Sequence, residues 1–389
     1  MSIVFLSIAV IFGIAAVHPF TTYPLSLVLA KRISRLSRIY ETQPALDTLP
    51  SSCAVCLCAY NEAKPIRARI ENLLKIREFL ATKNVELNIF TYSDGCSDNT
   101  ATILQSYGDK INLLVSEKRT GKSVGMNSLL RQIEDPFVIF TDANVEYELN
   151  AIPRLLQGFN NPLVGCVVGH LKYTNESESA TATTNSFYWR FEENLKQQES
   201  DTGSVMGADG SIFAIRRTLF REIPPDIIDD MFTSMSIVCD GYRIVRAQNA
   251  VAYERTAATP KEEYRRKVRI ACRCFNCFRL MRPRLLHLTL WDLYKFMSHR
   301  LLRWLFIFWF LGAVLFSILA AFAFDKAIGL YVSVLLAMIL VLSLYLRKTK
   351  MCRSGWEALT AFYAVGIGVI FSLRGERFKT WEPPASARN

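Results

Sequence analysis

The stretch that decides the fold is residues 137–144, Phe-Val-Ile-Phe-Thr-Asp-Ala-Asn, in which an apolar run ends directly in two oxygen-bearing side chains. The short apolar run predicts a buried strand over 137–141. Asp142 and Asn144 at its end could bind a divalent cation together with ribose hydroxyls. Mg²⁺ or Mn²⁺ is expected there, because hard cations prefer oxygen ligands and bridge phosphates. The same residue types are also common turn formers, so this motif alone leaves both interpretations open.

The residues upstream of this stretch alternate between strand and helix patterns. Strands are expected at 52–59, 86–92 and 111–115, and helices at 63–80, 99–107 and 123–132. This alternation predicts an α/β fold with a doubly wound, mostly parallel sheet. Two further polar clusters, Asn61-Glu62 and Asp94 to Asp98, fall at strand ends. Ligands of such sheets bind beyond the carboxyl ends of the strands, so these clusters are candidates for a nucleotide site.

Two more charged clusters have both a functional and an ordinary interpretation. Residues 118–122, Lys-Arg-Thr-Gly-Lys, precede a predicted helix, so Lys122 and the helix N-terminus could meet a diphosphate. The P-loop spacing is missing, and a solvated basic turn is the alternative. Asp226, Asp229 and Asp230 precede the apolar pair Met231-Phe232. Such carboxylates often cap a helix, but a partly desolvated one could act as a general base toward a hydroxyl.

The ten cysteines favour a reduced, intracellular protein. They are too dilute in 389 residues for a disulfide-stapled module. Two groups, Cys53 to Cys58 and Cys272 to Cys277, have spacings that zinc could use, but the residues between them are turn-poor, unlike those of zinc knuckles. Buried thiols are therefore expected at both places.

Composition points to a membrane. The chain has 46 Lys and Arg against 35 Asp and Glu, a net charge of +11, and 51% hydrophobic residues, which excludes a disordered chain. Its cations cluster beside apolar runs, for example Lys31, Arg32, Arg35 and Arg38 after the first run and Arg347-Lys348 after the third. This placement favours a membrane surface over nucleic acid as the partner.

The apolar runs divide the chain into five parts. These are an N-terminal anchor at 1–30, a polar domain at 31–283, an amphipathic interfacial helix at 284–303, C-terminal membrane segments at 304–373 and a polar tail at 374–389. Charge follows the first run rather than preceding it, so an uncleaved anchor is expected, with a kink at Pro19 or Pro24. The positive-inside rule predicts a multi-pass protein whose polar domain is cytoplasmic. The last apolar run, 356–373, is thinner, and the basic tail conflicts with a full span there; a re-entrant or interfacial segment is the alternative.

Seven motifs, in order, resemble those of membrane-embedded family 2 glycosyltransferases of the inverting GT-A superfamily. The resembling stretch runs from Cys56 to about Phe275. The motifs are Ala59 to Glu62, Ser93 to Asp98, Gly121-Lys122 with Asn127, Phe140 to Asn144, Gly207 to Gly210, Asp229-Asp230 and Arg265 to Arg269.

The resemblance implies a GT-A fold, Rossmann-like with a mixed, mostly parallel sheet, and a role for each motif. Asn61, Glu62, Asp94, Asp98 and Lys122 would bind the donor, most often a UDP-sugar; Asp142 with Asn144 would hold Mg²⁺ or Mn²⁺; Asp230 would be the catalytic base; and Asp209, Asp229, Arg266 and Arg269 would belong to the acceptor or donor loops. Two departures matter. The family's Asp-x-Asp is Asp142-Ala143-Asn144 here, and Arg266 to Ile270 stand where processive polymerases carry Gln-x-x-Arg-Trp.

The missing tryptophan puts processive polymerisation in doubt, because that side chain stacks the acceptor in polymerases. The expected function is sugar transfer from a nucleotide donor to a lipid-linked or growing glycan at the inner cell membrane, within cell-surface polysaccharide synthesis. A processive synthase that secretes its polymer, and an inactive nucleotide-sugar-binding subunit of a synthase, are the alternatives. Expected partners are the lipid bilayer and either other polysaccharide-assembly proteins or further copies of the chain, with no nucleic acid.

Overall fold

The computed structural model describes residues 1–33, 49–175, 178–256, 259–346 and 349–380. Four of the basic residues considered above and the last part of the polar tail lie outside the described residues: Arg35, Arg38, Arg347, Lys348 and 381–389.

Within the described part of the chain, eight strands form one sheet. They are β1 (Ser52–Ala59), β2 (Glu86–Asp94), β3 (Asn112–Ser116), β4 (Phe137–Thr141), β5 (Val145–Tyr147), β6 (Val164–Tyr173), β7 (Phe213–Arg216) and β8 (Arg243–Glu254). Their order is β3-β2-β1-β4-β7-β6-β8-β5. The first four strands are mutually parallel, whereas β7 is antiparallel to both of its neighbours. The expected mixed, mostly parallel α/β sheet is confirmed.

The α-helices flank this sheet or extend from it. They are α1 (Ser2–Val17), α2 (Thr22–Ile33), α3 (Ile66–Ala81), α4 (Thr100–Gln105), α5 (Lys122–Leu130), α6 (Ala151–Gln157), α7 (Ala180–Asp201), α8 (Asp229–Cys239), α9 (Pro260–Leu285), α10 (Leu290–Phe296), α11 (Leu302–Trp304), α12 (Phe306–Phe324), α13 (Lys326–Tyr345) and α14 (Lys350–Leu373). Every strand and helix expected between residues 52 and 141 is present, with its ends shifted by a few residues at most.

Alternate residues of each central strand face two separate hydrophobic cores. In β1, Val55 and Leu57 pack on the side of α3, whereas Cys56 and Cys58 pack on the side of α5 and α8. Burial raises the pKa of the Cys56 thiol far above its usual value, so it stays protonated and inert. Among the described residues no group of His, Cys, Asp or Glu is placed to hold a metal by itself, and the expectation of buried thiols agrees with this.

In the part of the chain that the structure describes, four helices are long and apolar enough to cross a bilayer: residues 2–20, 306–324, 326–345 and 355–373. The first of them packs along α12, where the ring centroids of Phe12 and Trp309 are 5.2 Å apart. The N-terminal run is interrupted at residues 18–20 by a single 3₁₀ turn that contains Pro19. After this turn α2 lies against the domain, where Tyr23 and Leu27 are fully buried beside α7.

The segment between α9 and α12 is tied to α7 by buried charges. A π-helical turn, Met297–Leu301, carries His299, whose two ring nitrogens lie 2.7 Å from carboxylate oxygens of Glu192 and Glu199. Arg303 donates to Glu192 over 2.6 Å. The charged side chains of this segment are therefore paired inside the protein.

The last apolar helix, α14, runs along the domain. Near its start Glu357 accepts a hydrogen bond from Thr184 of α7, 2.8 Å away, and near its end Ser372 donates to Asn276 of α9 over 2.6 Å. Beyond α14, Arg377 pairs with Asp226 and the carbonyl of Lys379 lies against Gly121. Both ends of α14 and the start of the tail therefore contact the domain that carries the sheet.

Gly95 fixes the approach of two loops at the carboxyl end of the sheet. Its φ of +61° is left-handed, and a Cβ there would lie 2.5 Å from the backbone nitrogen of Arg119. Gly108 has a similar φ of +52° but open space around it.

We expect Gly95→Ala to lower the unfolding temperature of the detergent-purified protein more than Gly108→Ala does. Both variants incur a left-handed strain of about 1–2 kcal/mol, but only Gly95→Ala adds a backbone clash. Thermal unfolding followed by intrinsic fluorescence measures the difference. Equal losses in the two variants would contradict the close approach of the loops.

Candidate active site

A cavity of about 420 Å³ opens where the carboxyl ends of the parallel strands meet the start of α8 and the flank of α9. Most of the site residues expected from the sequence line it. These are Glu62, Lys122, Asp142, Asn144, Asp209, Asp229, Asp230, Arg266 and Arg269. They come from six separate stretches of the chain, so the fold brings together side chains that are far apart in sequence.

Lys122 lies at the centre of the acidic side of this cavity. Its Nζ is 2.8 Å from Asp142 Oδ1 and 3.0 Å from Asp229 Oδ2. Burial alone would lower the pKa of Lys122, but these two carboxylates raise it well above its usual value. Its side chain is therefore held as a cation between strand β4 and helix α8.

Gly210 provides the space into which these groups point. A Cβ at this position would lie 3.2 Å from Lys122 Nζ and 3.6 Å from one carboxylate oxygen each of Asp142 and Asp230. One small volume is thus surrounded by an ammonium group and two carboxylates. A reacting group bound there would contact all three side chains.

The adjacent carboxylates of Asp229 and Asp230 have opposite properties. Burial would raise the pKa of Asp229, but Lys122 and Arg273 lower it, so Asp229 remains ionised. The pKa of Asp230 is raised to about 7 by burial and by the charge of Asp229. A carboxylate with a pKa near neutrality in a cavity is suited to accept a proton.

Asn144 does not act alone at the end of β4. Its amide donates to Glu254 Oε1 over 3.1 Å, and Ser211 Oγ donates to Glu254 Oε2 over 2.9 Å. The pKa of Glu254 is raised to about 7 by burial and by the nearby charge of Asp142. The cavity therefore holds a further carboxylate, which comes from the end of β8.

Three of the expected donor-binding residues, which do not line the cavity, hold the loops around it. Asp94 is fully buried and accepts from the backbone N–H groups of Thr120 and Gly121 at 2.6 and 3.0 Å. Asn61 accepts from the Ser97 N–H over 2.8 Å, and its φ of +51° is left-handed. Asp98 accepts from the Ala63 N–H over 3.1 Å. These bonds fasten the loop before Lys122 to the loops after β1 and β2.

Helix α9 contributes cations to the opposite side of the cavity. Arg266 Nε donates a hydrogen bond over 3.0 Å to Glu263, which lies one helical turn before it, and Glu263 also pairs with Lys267 over 2.9 Å. Burial and the charges of Arg273 and Arg266 lower the pKa of Arg269 to about 10. An anion bound beside Arg269 would relieve this crowding of positive charge.

The oxygen-bearing side chains of the cavity suit a divalent cation that takes only some of its ligands from the protein. Asp142, Asp230 and Glu254 supply oxygen, and the pKa values of Asp230 and Glu254 are raised by burial and by the charge of a neighbouring carboxylate. No group of three such side chains converges on one point within the described residues. Mg²⁺ and Mn²⁺ that bind a diphosphate need only one or two protein carboxylates, so the residues fit such an ion.

Sequence reasoning missed several residues that line the cavity. Glu254, Lys196, Trp189 and Arg300 are among them. Lys196 is buried; its Nζ lies 2.9 Å from Asp209 Oδ2 and 4.4 Å from the ring centroid of Trp189. Glu254 ends β8 at the same edge of the sheet as Asp142, and the apolar run Ala250 to Tyr253 before it is the sequence signal that could have indicated this strand end.

Comparison with known sequence families decides the identity. Glycosyl transferase family 2 matches residues 54–224, and Glycosyl transferase family group 2 matches residues 149–346, about half of the chain. The chain belongs to glycosyl transferase family 2. It is therefore a glycosyltransferase that takes its sugar from a nucleotide donor.

Relatives of this family 2 member include N-acetylglucosaminyltransferases from rhizobia. That of Mesorhizobium japonicum is 23% identical over 292 residues, 66% of this chain and 68% of the relative. That of Rhizobium meliloti is 22% identical over 208 residues, 49% of each chain. The chain thus spans about half to two thirds of the length of these relatives.

A solved structure supports the fold over nearly the whole chain. The mannosyltransferase PcManGT from Pyrobaculum calidifontis, in complex with GDP-Man and Mn²⁺, is 20% identical and superposes with a TM-score of 0.64. The superposition covers 96% of this chain and 100% of the other. The GT-A fold expected from the motifs is confirmed, together with the helices that flank it.

Proposed function

We propose that this glycosyltransferase moves a sugar from a UDP-sugar to the hydroxyl of a lipid-linked or growing glycan, with inversion at the anomeric carbon. The convergence of Lys122, Asp142 and Asp230 around Gly210 carries this proposal. It combines a cation for the donor, a metal-binding carboxylate and a base within one small volume. The product would enter cell-surface polysaccharide synthesis.

Asp230 is the base in this proposal. Its carboxylate takes the proton of the acceptor hydroxyl, whose oxygen forms a bond to the anomeric carbon as the bond to the diphosphate breaks. Asp229 supports this role, because its negative charge raises the pKa of Asp230 and makes it a stronger proton acceptor. No covalent bond between sugar and protein is needed, and UDP leaves with the electron pair of the broken bond.

The donor diphosphate would lie between Lys122 and the cations of α9. Burial and the charges of Arg273 and Arg266 lower the pKa of Arg269, and Arg266 lies one turn away on the same cavity wall. Asp142, with Glu254 or Asn144, would hold Mg²⁺ or Mn²⁺, which supplies positive charge to the leaving diphosphate. Glu62 would lie at the nucleotide end of the site, where Asn61, Asp94 and Asp98 position the surrounding loops.

The relatives guide the choice of donor. The rhizobial relatives are named N-acetylglucosaminyltransferases, and PcManGT was solved with GDP-Man and Mn²⁺. A hexosyl or N-acetylhexosaminyl group is therefore the transferred sugar in our proposal, with UDP-N-acetylglucosamine as the first donor to test.

The proposed topology sets the domain that carries the sheet on the cytoplasmic side, between α1 and the hairpin α12–α13. Helix α14 packs along α9, which carries Arg266, Arg269 and Arg273 and is too charged to cross a bilayer. Because both ends of α14 contact the domain, we propose that α14 lies along the membrane surface instead of crossing it. The basic residues after α14 then stay cytoplasmic, in agreement with the positive-inside rule.

Asp230→Asn should lower transfer by roughly 10²–10⁴-fold and leave donor binding largely intact, because only the proton acceptor is lost. The measurement is UDP or GDP release by the purified protein over a panel of nucleotide sugars, with Mn²⁺, Mg²⁺ or EDTA and membrane lipid extract as acceptor. Asp142→Ala should instead weaken metal-dependent UDP binding. The exposed Asp109→Asn is the matched control, and normal transfer by Asp230→Asn would refute the base assignment.

The pH profile of kcat/KM should rise with pH and level off above about 7, because the base must be unprotonated and the pKa of Asp230 is about 7. Below that point the rate should fall about tenfold per pH unit. Glu254 has a similar pKa, so the profile of Glu254→Gln identifies the titrating group. The inflection should persist in Glu254→Gln; its disappearance there would transfer the base role to Glu254.

A reporter fused after Asn389 should behave as cytoplasmic, because α14 is proposed not to cross the membrane. Green fluorescent protein should fluoresce at this position, and alkaline phosphatase should be inactive. Fusion after Asp325, between α12 and α13, is the control and should give the opposite result. Active phosphatase at the C-terminus would mean that α14 crosses the membrane.

A further inference from the structure

A second cavity, here called the side groove, lies between α7, α9 and α14 and has a volume of about 180 Å³. Its walls are mainly apolar. The residues that matter below are Tyr188, Tyr264, Ala358, Ala361, Phe362 and Val365. The small side chains of Ala358 and Ala361 leave the space open on the α14 side.

The side groove adjoins the catalytic cavity. Tyr188 and Asn185 of α7, Lys267 of α9 and Val365 of α14 line both of them. A ligand that fills the side groove would therefore end beside the catalytic cavity. At this junction Lys267 and Arg266 share one carboxylate, Glu263, so the three side chains carry a net positive charge that would stabilise a phosphate or another anionic head group.

The outer wall of the side groove is a helix of bilayer-like composition. Residues 355–373 of α14 are apolar enough for a membrane, and Leu359 and Tyr363 on its outer face are exposed, by 36% and 52%. The ring of Tyr363 lies 6.5 Å from that of Tyr264, and the exposed parts of Leu359 and Tyr363 would contact lipid if α14 lies along the membrane surface as proposed. A groove behind such a helix can take a hydrocarbon chain directly from the bilayer.

We propose that the side groove binds the hydrocarbon chain of the acceptor lipid, while its polar head reaches the catalytic cavity at Lys267. This inference rests on the proposed transfer to a lipid-linked acceptor and adds where the lipid is held. Apolar walls, two cations that share one carboxylate at the junction, and a position beside the cavity of the base Asp230 are features that suit a lipid with an anionic head.

The test uses alkyl phosphates as probes on the full chain in detergent. A hexadecyl phosphate with a terminal diazirine is photo-crosslinked, and the labelled peptides are mapped by mass spectrometry. Labelling should fall on α14 and α7, and octyl phosphate should compete much more weakly, since affinity rises roughly fourfold per buried methylene.

Two matched variants of α14 distinguish the groove from the outer face of the helix. Ala361→Trp should fill the groove and lower labelling about tenfold, the equivalent of two or so methylene groups. Leu359→Trp adds similar bulk on the outer face and should label normally. Ala358→Leu fills the groove less and should give an intermediate loss of labelling. This second variant keeps the test valid if Ala361→Trp fails to fold.

Transfer to lipid extract provides the second readout. Ala361→Trp should lose transfer but keep slow hydrolysis of the donor by water, since its donor site is intact. Equal labelling of the two tryptophan variants would overturn the inference. Loss of labelling with normal transfer would also overturn it, because the groove would then hold a structural lipid. Labelling needs no turnover, so a wild-type protein that releases no nucleotide contradicts the proposed function separately.

Discussion

The ion pairs of Lys122 with Asp142 and Asp229 are the interaction on which the site depends. Parallel strands end at one edge of the sheet, and here that edge gathers Asp142, Asp229, Asp230 and Glu254. Buried carboxylates this close repel one another, so at least one buried cation is required to keep them ionised. Lys122 supplies it from the first turn of α5, and the loop before it is fixed by Asp94. The ionised carboxylates of the cavity and the position of that loop therefore both depend on Lys122.

Local patterns predicted the first half of the domain and most of the site. The apolar run 137–141 and the strand 52–59 have the expected bounds, because short buried strands between turn residues carry a strong signal. The motifs placed Lys122, Asp142 and Asp230 in one cavity in advance. The sequence did not predict the roles of Asp94 and Asn61 in holding loops, since those depend on backbone groups of distant segments.

The cavity residues that were not predicted from the sequence depend on tertiary packing and not on a local pattern. Glu254 ends a long strand whose partner β5 is only three residues long, and Lys196 lies on a helix whose polar face looks solvated in the sequence. In the structure that face is buried against Asp209 and the π-helical turn. Likewise, hydropathy makes 355–373 a candidate span, whereas the basic tail and the packing of this helix along the charged helix α9 are the grounds for our proposal that it lies on the membrane surface. Tertiary pairing thus reverses what composition suggests.

The same reasoning explains the departure at Asn144. A carboxylate at this position would face Glu254 at hydrogen-bond distance, with Asp142 also close, and three negative charges would share one end of β4 and β8. The amide instead donates to Glu254 and orients it, while Ser211 fixes its other oxygen. A second carboxylate is therefore present in the cavity, but on a different strand. Asp142 and Glu254 are the oxygen ligands that the proposed Mg²⁺ or Mn²⁺ would use.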